Sequence, residues 1–202
     1  MIEKSKKQIV QEALPNAISY EDFRLLMDHH ARQGTSTGPQ QTEALSNYTM
    51  LNQRRMKRLD KTIKLQEIDI AKINSFKGDV TWLVITESWC GDAAQTMPVM
   101  QKIAELSEGI DLKVILRDEN LELMDAFLYN GSRSIPKLIA IDNTSGEILG
   151  DWGPRPSEAT QLVNDYKEAH GKLTPEFKQD LQVWYTKDKG QNTIENLVAF
   201  LE

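Results

Sequence analysis

Four short runs between residues 80 and 152 constrain this chain most: V80-T-W-L-V-I-T, D111-L-K-V-I-L-R, K137-L-I-A-I and E147-I-L-G-D-W. They are brief, apolar and rich in Val and Ile, the signature of strands on a half-buried or buried pleated surface. Between the first two, Gln95 to Glu108 repeats Val99, Met100, Ile103 and Leu106 at helical spacing. Between the second and third, N120-L-E-L-M-D-A-F-L-Y-N reads as a helix stopped by Gly131. D142-N-T-S-G is a turn, so the last two runs form a hairpin. After G153-P-R-P, Ser157 begins a helix that reaches about His170. The order is βαβαββα, an α/β domain with a central sheet between helices. Helical crossovers make the first three strands parallel, and the hairpin adds an antiparallel edge.

The flanks differ from this centre. Residues 1–75 read as helical and form an extension packed on the core. P15-N-A-I-S-Y-E-D-F-R-L-L-M places Phe23, Leu26 and Met27 on one helical face, with Ser19 as the cap and Asp22 three residues on. G34-T-S-T-G-P-Q is a loop. Residues 42–73 form one long helix or two shorter ones, with Leu51, Leu59, Ile63, Ile70 and Ile73 as a partial apolar face. N52-Q-R-R-M-K-R is a basic cluster, read first as a solvated helix face and second as a site for an acidic partner or a phosphate. Residues 76–170 form the α/β domain. Residues 171–202 form a tail with small helical pieces around T174-P-E-F and I194-E-N-L-V-A-F-L, and W184-Y-T-K-D-K is a packed aromatic pair followed by a turn.

Function is bounded by charge and by one thiol. A net charge of -6 argues against general nucleic-acid binding, which wants a basic face. No window approaches the roughly eighteen apolar residues of a membrane span, and the start M-I-E-K-S-K-K-Q-I-V lacks the apolar core of a signal peptide. A single cysteine cannot close an internal disulfide, and the cytoplasm is the expected compartment. That cysteine, Cys90, sits where a strand ends and a helix begins, in W89-C-G-D-A-A-Q. Unpaired N–H groups at the helix start favour its thiolate, while Asp92 opposes it. His29 and His30 point in different directions on a helix, and His170 stands alone at a helix end. No metal site and no cofactor are expected.

Trp89-Cys90-Gly91-Asp92-Ala93 resembles the thioredoxin active-site motif W-C-x-x-C, at the expected end of the first core strand. Ile135-Pro136, before K-L-I-A-I, resembles the cis-proline element that faces the active cysteine in that family. The order βαβαββα resembles the thioredoxin fold: a mixed central sheet flanked by helices, here over residues 75–170. The helical N-terminal extension is similar to one seen in bacterial thioredoxin-like proteins that carry W-C-G-D. The resemblance implies a nucleophile at Cys90 and a substrate groove of Trp89, Gly91, Asp92, Ile135 and Pro136. Arg117, Arg133 and Ser134 fall on the same side. It also implies a role in cell redox homeostasis, with a protein or a low-molecular-weight thiol or disulfide as partner.

The departures bear on mechanism. Ala93 stands where the family has its resolving cysteine, so the two-thiol release of a mixed disulfide is lost. Val84 stands where thioredoxins often carry a buried acid, and Asp92 where C-G-P-C has proline. Two readings stay open: monothiol exchange through Cys90 completed by an outside thiol, or a non-catalytic binding module using the cis-proline groove. Glu87 and Asp92 flank the thiol and disfavour anionic glutathione and a glutathione-held iron–sulfur cluster. A peroxidase is disfavoured because the T-x-x-C setting is missing.

Overall fold

The computed structural model describes residues 4–202. The first three residues of the 1–75 extension and of the leader reading lie outside the described residues. Among the described residues, the N-terminal part holds α1 (Lys6–Ala13), a two-residue strand β1 (Ile18–Ser19), α2 (Tyr20–Gln33), α3 (Glu43–Thr62) and α4 (Glu67–Ser75). The centre holds β2 (Val80–Thr86), α5 (Gly91–Leu106), β3 (Ile110–Leu116), α6 (Leu121–Ala126), β4 (Lys137–Asp142), β5 (Ile148–Trp152) and α7 (Ser157–His170). Two helices follow, α8 (Pro175–Asp188) and α9 (Gln191–Ala199).

The sheet order is β1-β3-β2-β4-β5. Strand β2 is buried along its whole length, because β3 and β4 flank it and helices cover its faces. It pairs in parallel with β3, with Val80 opposite Ile110 and Thr86 opposite Leu116. Strand β4 runs antiparallel to β2, which corrects the expectation of three parallel strands. The connection, residues 117–136, is not a crossover helix: it holds the six-residue α6, about 9 Å long, and a Tyr129–Ser132 turn, and Lys137 enters opposite Ile85 at the end where β3 left. The chain therefore re-enters the sheet at the end it left. Strand β1 was not anticipated. It adds to the far side of β3, with Ile18 opposite Val114, and it tethers the N-terminal helices to the sheet.

Those helices start where the chain offers caps. Ser5 closes a capping box with Gln8 on α1, Ser19 accepts from the Asp22 N–H at 3.0 Å on α2, and Thr42 accepts from the Leu45 N–H at 3.2 Å on α3. Phe23 and Met27 are buried, as are Leu59, Ile63 and Ile73. Leu51 is not; 43% of it is exposed, where it lines an open cleft shared with residues of α8. The tail is longer in helix than its sequence suggested. Trp184 and Tyr185, edge to face at 5.1 Å, lie inside α8 rather than before a turn. The turn comes only at Lys189–Gly190, both in the left-handed region.

Two apolar clusters result. The larger joins the sheet, α5, α9 and the N-terminal helices. The smaller joins Ala159 and Val163 of α7 to Leu181 and Tyr185 of α8.

Candidate functional site around Cys90

Cys90 is the N-cap of α5, which begins four residues before the expected Gln95. Its Sγ accepts from the Ala93 N–H at 3.4 Å and donates to the Ile135 carbonyl at 3.3 Å. The Ile135–Pro136 peptide bond is cis. The cysteine is 8% exposed, Ile135 is 7% exposed, and Ala93 fills the neighbouring turn at 2%. Burial pushes the Cys90 thiol up to about 12, and the nearby Asp92 charge adds to this. The N–H groups of Ala93 and Asp92 and the charge of Arg155 pull the other way without winning. A thiolate-favouring helix start is therefore outweighed. The dipole of a helix end is worth about 1 kcal/mol, less than removal of a thiolate from water costs.

Two buried carboxylates flank the thiol. Glu87 accepts from the Asp118 N–H at 2.8 Å and from the Thr37 hydroxyl. Thr37 also accepts from the Ser88 N–H at 2.9 Å, and its own N–H donates to the Ser88 hydroxyl at 3.0 Å. Thr49 and Asn52 of α3 complete the cluster, reaching the Ser88 hydroxyl at 2.8 Å and the Ser88 carbonyl at 3.0 Å. The G34-T-S-T-G-P loop thus docks on the segment before Cys90. Burial raises the Glu87 carboxyl, opposed by the Thr37 and Asp118 donors.

Asp92 is held differently. Arg155 forms an ion pair with it at 2.7 Å, and the Tyr185 hydroxyl donates to it at 3.1 Å. Burial pushes the Asp92 carboxyl up, and Arg155 pulls it back. Burial works against the Arg155 charge, but Asp92 outweighs it and raises that pKa. Beside this pair, Gln95 donates to Gln182 of α8 at 2.9 Å.

The ring of Trp89 divides the surface here. On one side a cleft of about 310 Å³ is lined by Trp89, Gly91, Asp92, Arg55, Arg155 and residues of α8. On the other, a cleft of about 280 Å³ is lined by Trp89, Arg117, Asp118 and Arg133. The Arg117 guanidinium lies over the Trp89 ring, 4.8 Å from its centre. Of the residues assigned to one groove, Trp89, Gly91 and Asp92 face the first cleft, and Arg117 and Arg133 face the second. Ile135 and Pro136 are buried behind Cys90 and line neither. Ser134 lines neither cleft. The Ile135 carbonyl is occupied by the thiol, and a Cβ on Gly153 would sit 2.3 Å from the Pro136 carbonyl oxygen, so that backbone is covered by the chain itself.

Arg155, Tyr185 and Thr37 were not picked out from sequence as site residues, whereas Arg55 belongs to the N52-Q-R-R-M-K-R cluster, whose second reading was a site for an acidic partner or a phosphate. Arg155 had a weak signal, a lone cation in G153-P-R-P just after a strand end. Tyr185 had none, because nothing local shows that α8 returns to α5.

The family model described as Thioredoxin matches residues 38–167. The chain belongs to the thioredoxin family. The match starts at Gly38, just after Thr37, so it takes in Thr49, Asn52, Cys90, Ile135 and Arg155 but neither Thr37 nor Tyr185. No curated protein matches. Among solved structures, a protein of unknown function from Pseudomonas aeruginosa is 17% identical with a TM-score of 0.59, covering 98% of this chain and 96% of that one. An HIV epitope scaffold is also 17% identical, with a TM-score of 0.55, covering 90% of this chain and 96% of that one. At such identity both speak for the fold alone. Among the described residues, no group of three or more His, Cys, Asp or Glu side chains is placed to hold a metal ion. No helix among them is long and apolar enough to cross a membrane.

Proposed function

We propose that this thioredoxin-family protein is a binding module of a reducing compartment such as the cytoplasm, with Cys90 as an architectural thiol and ligands engaging the surface around Trp89. One observation carries the reading: the Cys90 sulfur is enclosed and hydrogen-bonded on both sides, to the Ile135 carbonyl and the Ala93 N–H. With the thiol pushed well above its ordinary value by burial, the thiolate at pH 7 is far scarcer than the few per cent of a free thiol. Thiol–disulfide exchange runs through the thiolate, so the rate falls with that fraction. Ala93 removes the second sulfur that would release a mixed disulfide. The buried Ile135–Pro136 backbone also leaves little room for an extended peptide to pair there, which moves the binding surface to the clefts beside Trp89.

Monothiol exchange is the competing reading. The Ala93 N–H aimed at Sγ supports it, since that donor would stabilise a thiolate once the site opened. The two readings separate in a titration of the folded protein with an aromatic disulfide, followed by mass detection of the Cys90 adduct. The binding reading expects slow labelling from pH 6 to 9 that speeds up only when urea unfolds the chain. Fast labelling at pH 7, with release of the adduct by added thiol, would replace it with monothiol exchange.

A further inference from the structure

The cleft between α3 and α8 is built from opposite kinds of surface. Its floor is Trp89, Gly91 and Asp92, at the start of α5. Tyr48 and Leu51 of α3 form an apolar wall, 48% and 43% exposed. Arg55 of α3 and Lys178 of α8 also line it. The only carboxylate in the lining, Asp92, is already paired with Arg155. Among the described residues neither Arg55 nor Lys178 has an acidic partner within 4.0 Å.

Arg55 is the informative one. Its Nη1 donates to the Asn52 side-chain oxygen at 3.0 Å, and Asn52 is itself fixed to the Ser88 carbonyl. The guanidinium is therefore oriented, not free. It lies over Gly91, with Nη1 3.8 Å from where a Cβ on that residue would be. Burial lowers its pKa, and the pull of Tyr48 and of the more distant Asp92 does not outweigh that cost. A cation oriented over a cleft floor, an apolar wall on the same helix and a second cation on α8 match an acidic group on a flat apolar body. The volume of about 310 Å³ fits a ligand of that size. In a chain of net charge -6 this concentration of positive charge stands against the general field.

We infer that the α3–α8 cleft is a binding site for a small organic anion, whose acidic group meets Arg55 and Lys178 while its apolar body rests on Tyr48 and Leu51. The inference rests on the binding reading above and specifies its ligand class.

Phenyl phosphate is the probe, titrated into the full chain and followed by the indole N–H resonance of Trp89, assigned with Trp89→Phe. A saturable shift is expected, with phenol and inorganic phosphate each at least about tenfold weaker, since each supplies half of the recognition. Arg55→Met and Lys178→Met should each weaken binding about tenfold, and Arg55→Lys should fall between wild type and Arg55→Met because the charge is kept and the fork is lost. Variant amide spectra matching wild type show that the fold is intact. No saturable shift, or equal affinity in the folded Arg55→Met/Lys178→Met protein, would overturn the site. So would binding of an acidic Glu- and Phe-rich peptide without binding of phenyl phosphate, which would assign the cleft to a protein partner. Labelling of Cys90 in the same samples separates the two levels. Slow labelling with no phenyl phosphate binding removes the site and keeps the binding reading. Fast labelling with intact phenyl phosphate binding keeps the site and removes the non-catalytic role of the thiol.

Discussion

Glu87 and Asp92 flank the same cysteine at similar depth, yet the fold neutralises them by opposite means. Glu87 has neutral donors: a hydroxyl from the loop at Thr37 and a backbone N–H at Asp118. Asp92 has a full countercharge in Arg155, with a phenol beside it. The first arrangement spreads a charge over neutral dipoles, of which Thr37 also bonds Ser88, itself held by Thr49 and Asn52. The second concentrates it in one ion pair that crosses between α5 and the chain after β5. A dipole cage survives loss of the charge it holds, because its members also bond one another. A buried ion pair does not survive loss of one member, because the other is left without a partner.

Arg155→Met should therefore be the most damaging change. It leaves Asp92 buried beside a thiol with only the Tyr185 hydroxyl, and a loss of about 3 kcal/mol is expected in urea unfolding. A loss below about 1 kcal/mol would mean that the pair is solvated and the contrast is false. Thr37→Val comes next, at about 2 kcal/mol. It removes the donor to Glu87 and the acceptor for Ser88 together, and limited proteolysis should then cut within residues 34–41. Resistance of that loop to protease would show that the loop is held by something other than Thr37. Cys90→Ala should cost about 1 kcal/mol, the loss of a small buried group and its two hydrogen bonds. A large loss would show that the thiol does more than fill and cap.

Glu87→Gln is expected to be mildest, within about 1 kcal/mol of wild type at pH 7. Its value lies in pH dependence. Burial raises the Glu87 carboxyl above its ordinary 4.5, so the folded chain binds that proton more tightly than the unfolded chain. Such a group weakens the fold at neutral pH, and the penalty fades as pH falls through the raised folded value toward 4.5. Glu87→Gln should abolish this contribution, giving a flatter stability curve than wild type between pH 7 and 4.5. Parallel curves for the two proteins would show that Glu87 is not the group concerned.

The sequence carried the local part of this picture well. Val80 to Thr86 had to be a buried strand, and a cysteine followed by glycine at its end had to fall at a helix start. The cap at Ser19 and the D142-N-T-S-G turn were also local matters. What escaped was set by distance along the chain. The direction of β4 depended on how few residues of α6 stay helical, and N120-L-E-L-M-D-A-F-L-Y-N reads as a longer helix than the six residues that form. The height of the Cys90 pKa depended on cover from Ile135, forty-five residues away. Arg155 and Tyr185 reach Asp92 across 63 and 93 positions, and no spacing rule links such partners. The sequence showed a carboxylate beside a thiol, but which of 24 cations would answer it was a property of the fold.

The second apolar cluster gives the C-terminal helices a rhythm of their own. Leu181 and Tyr185 close on Ala159 and Val163, away from the sheet, and α8 meets α5 through the polar pairs Tyr185–Asp92 and Gln182–Gln95. Such a seam opens at lower free energy than the sheet does. Amide exchange should thus be faster along α8 than along β2, so that the polar seam gives way while the sheet and the thiol buried against it stay closed.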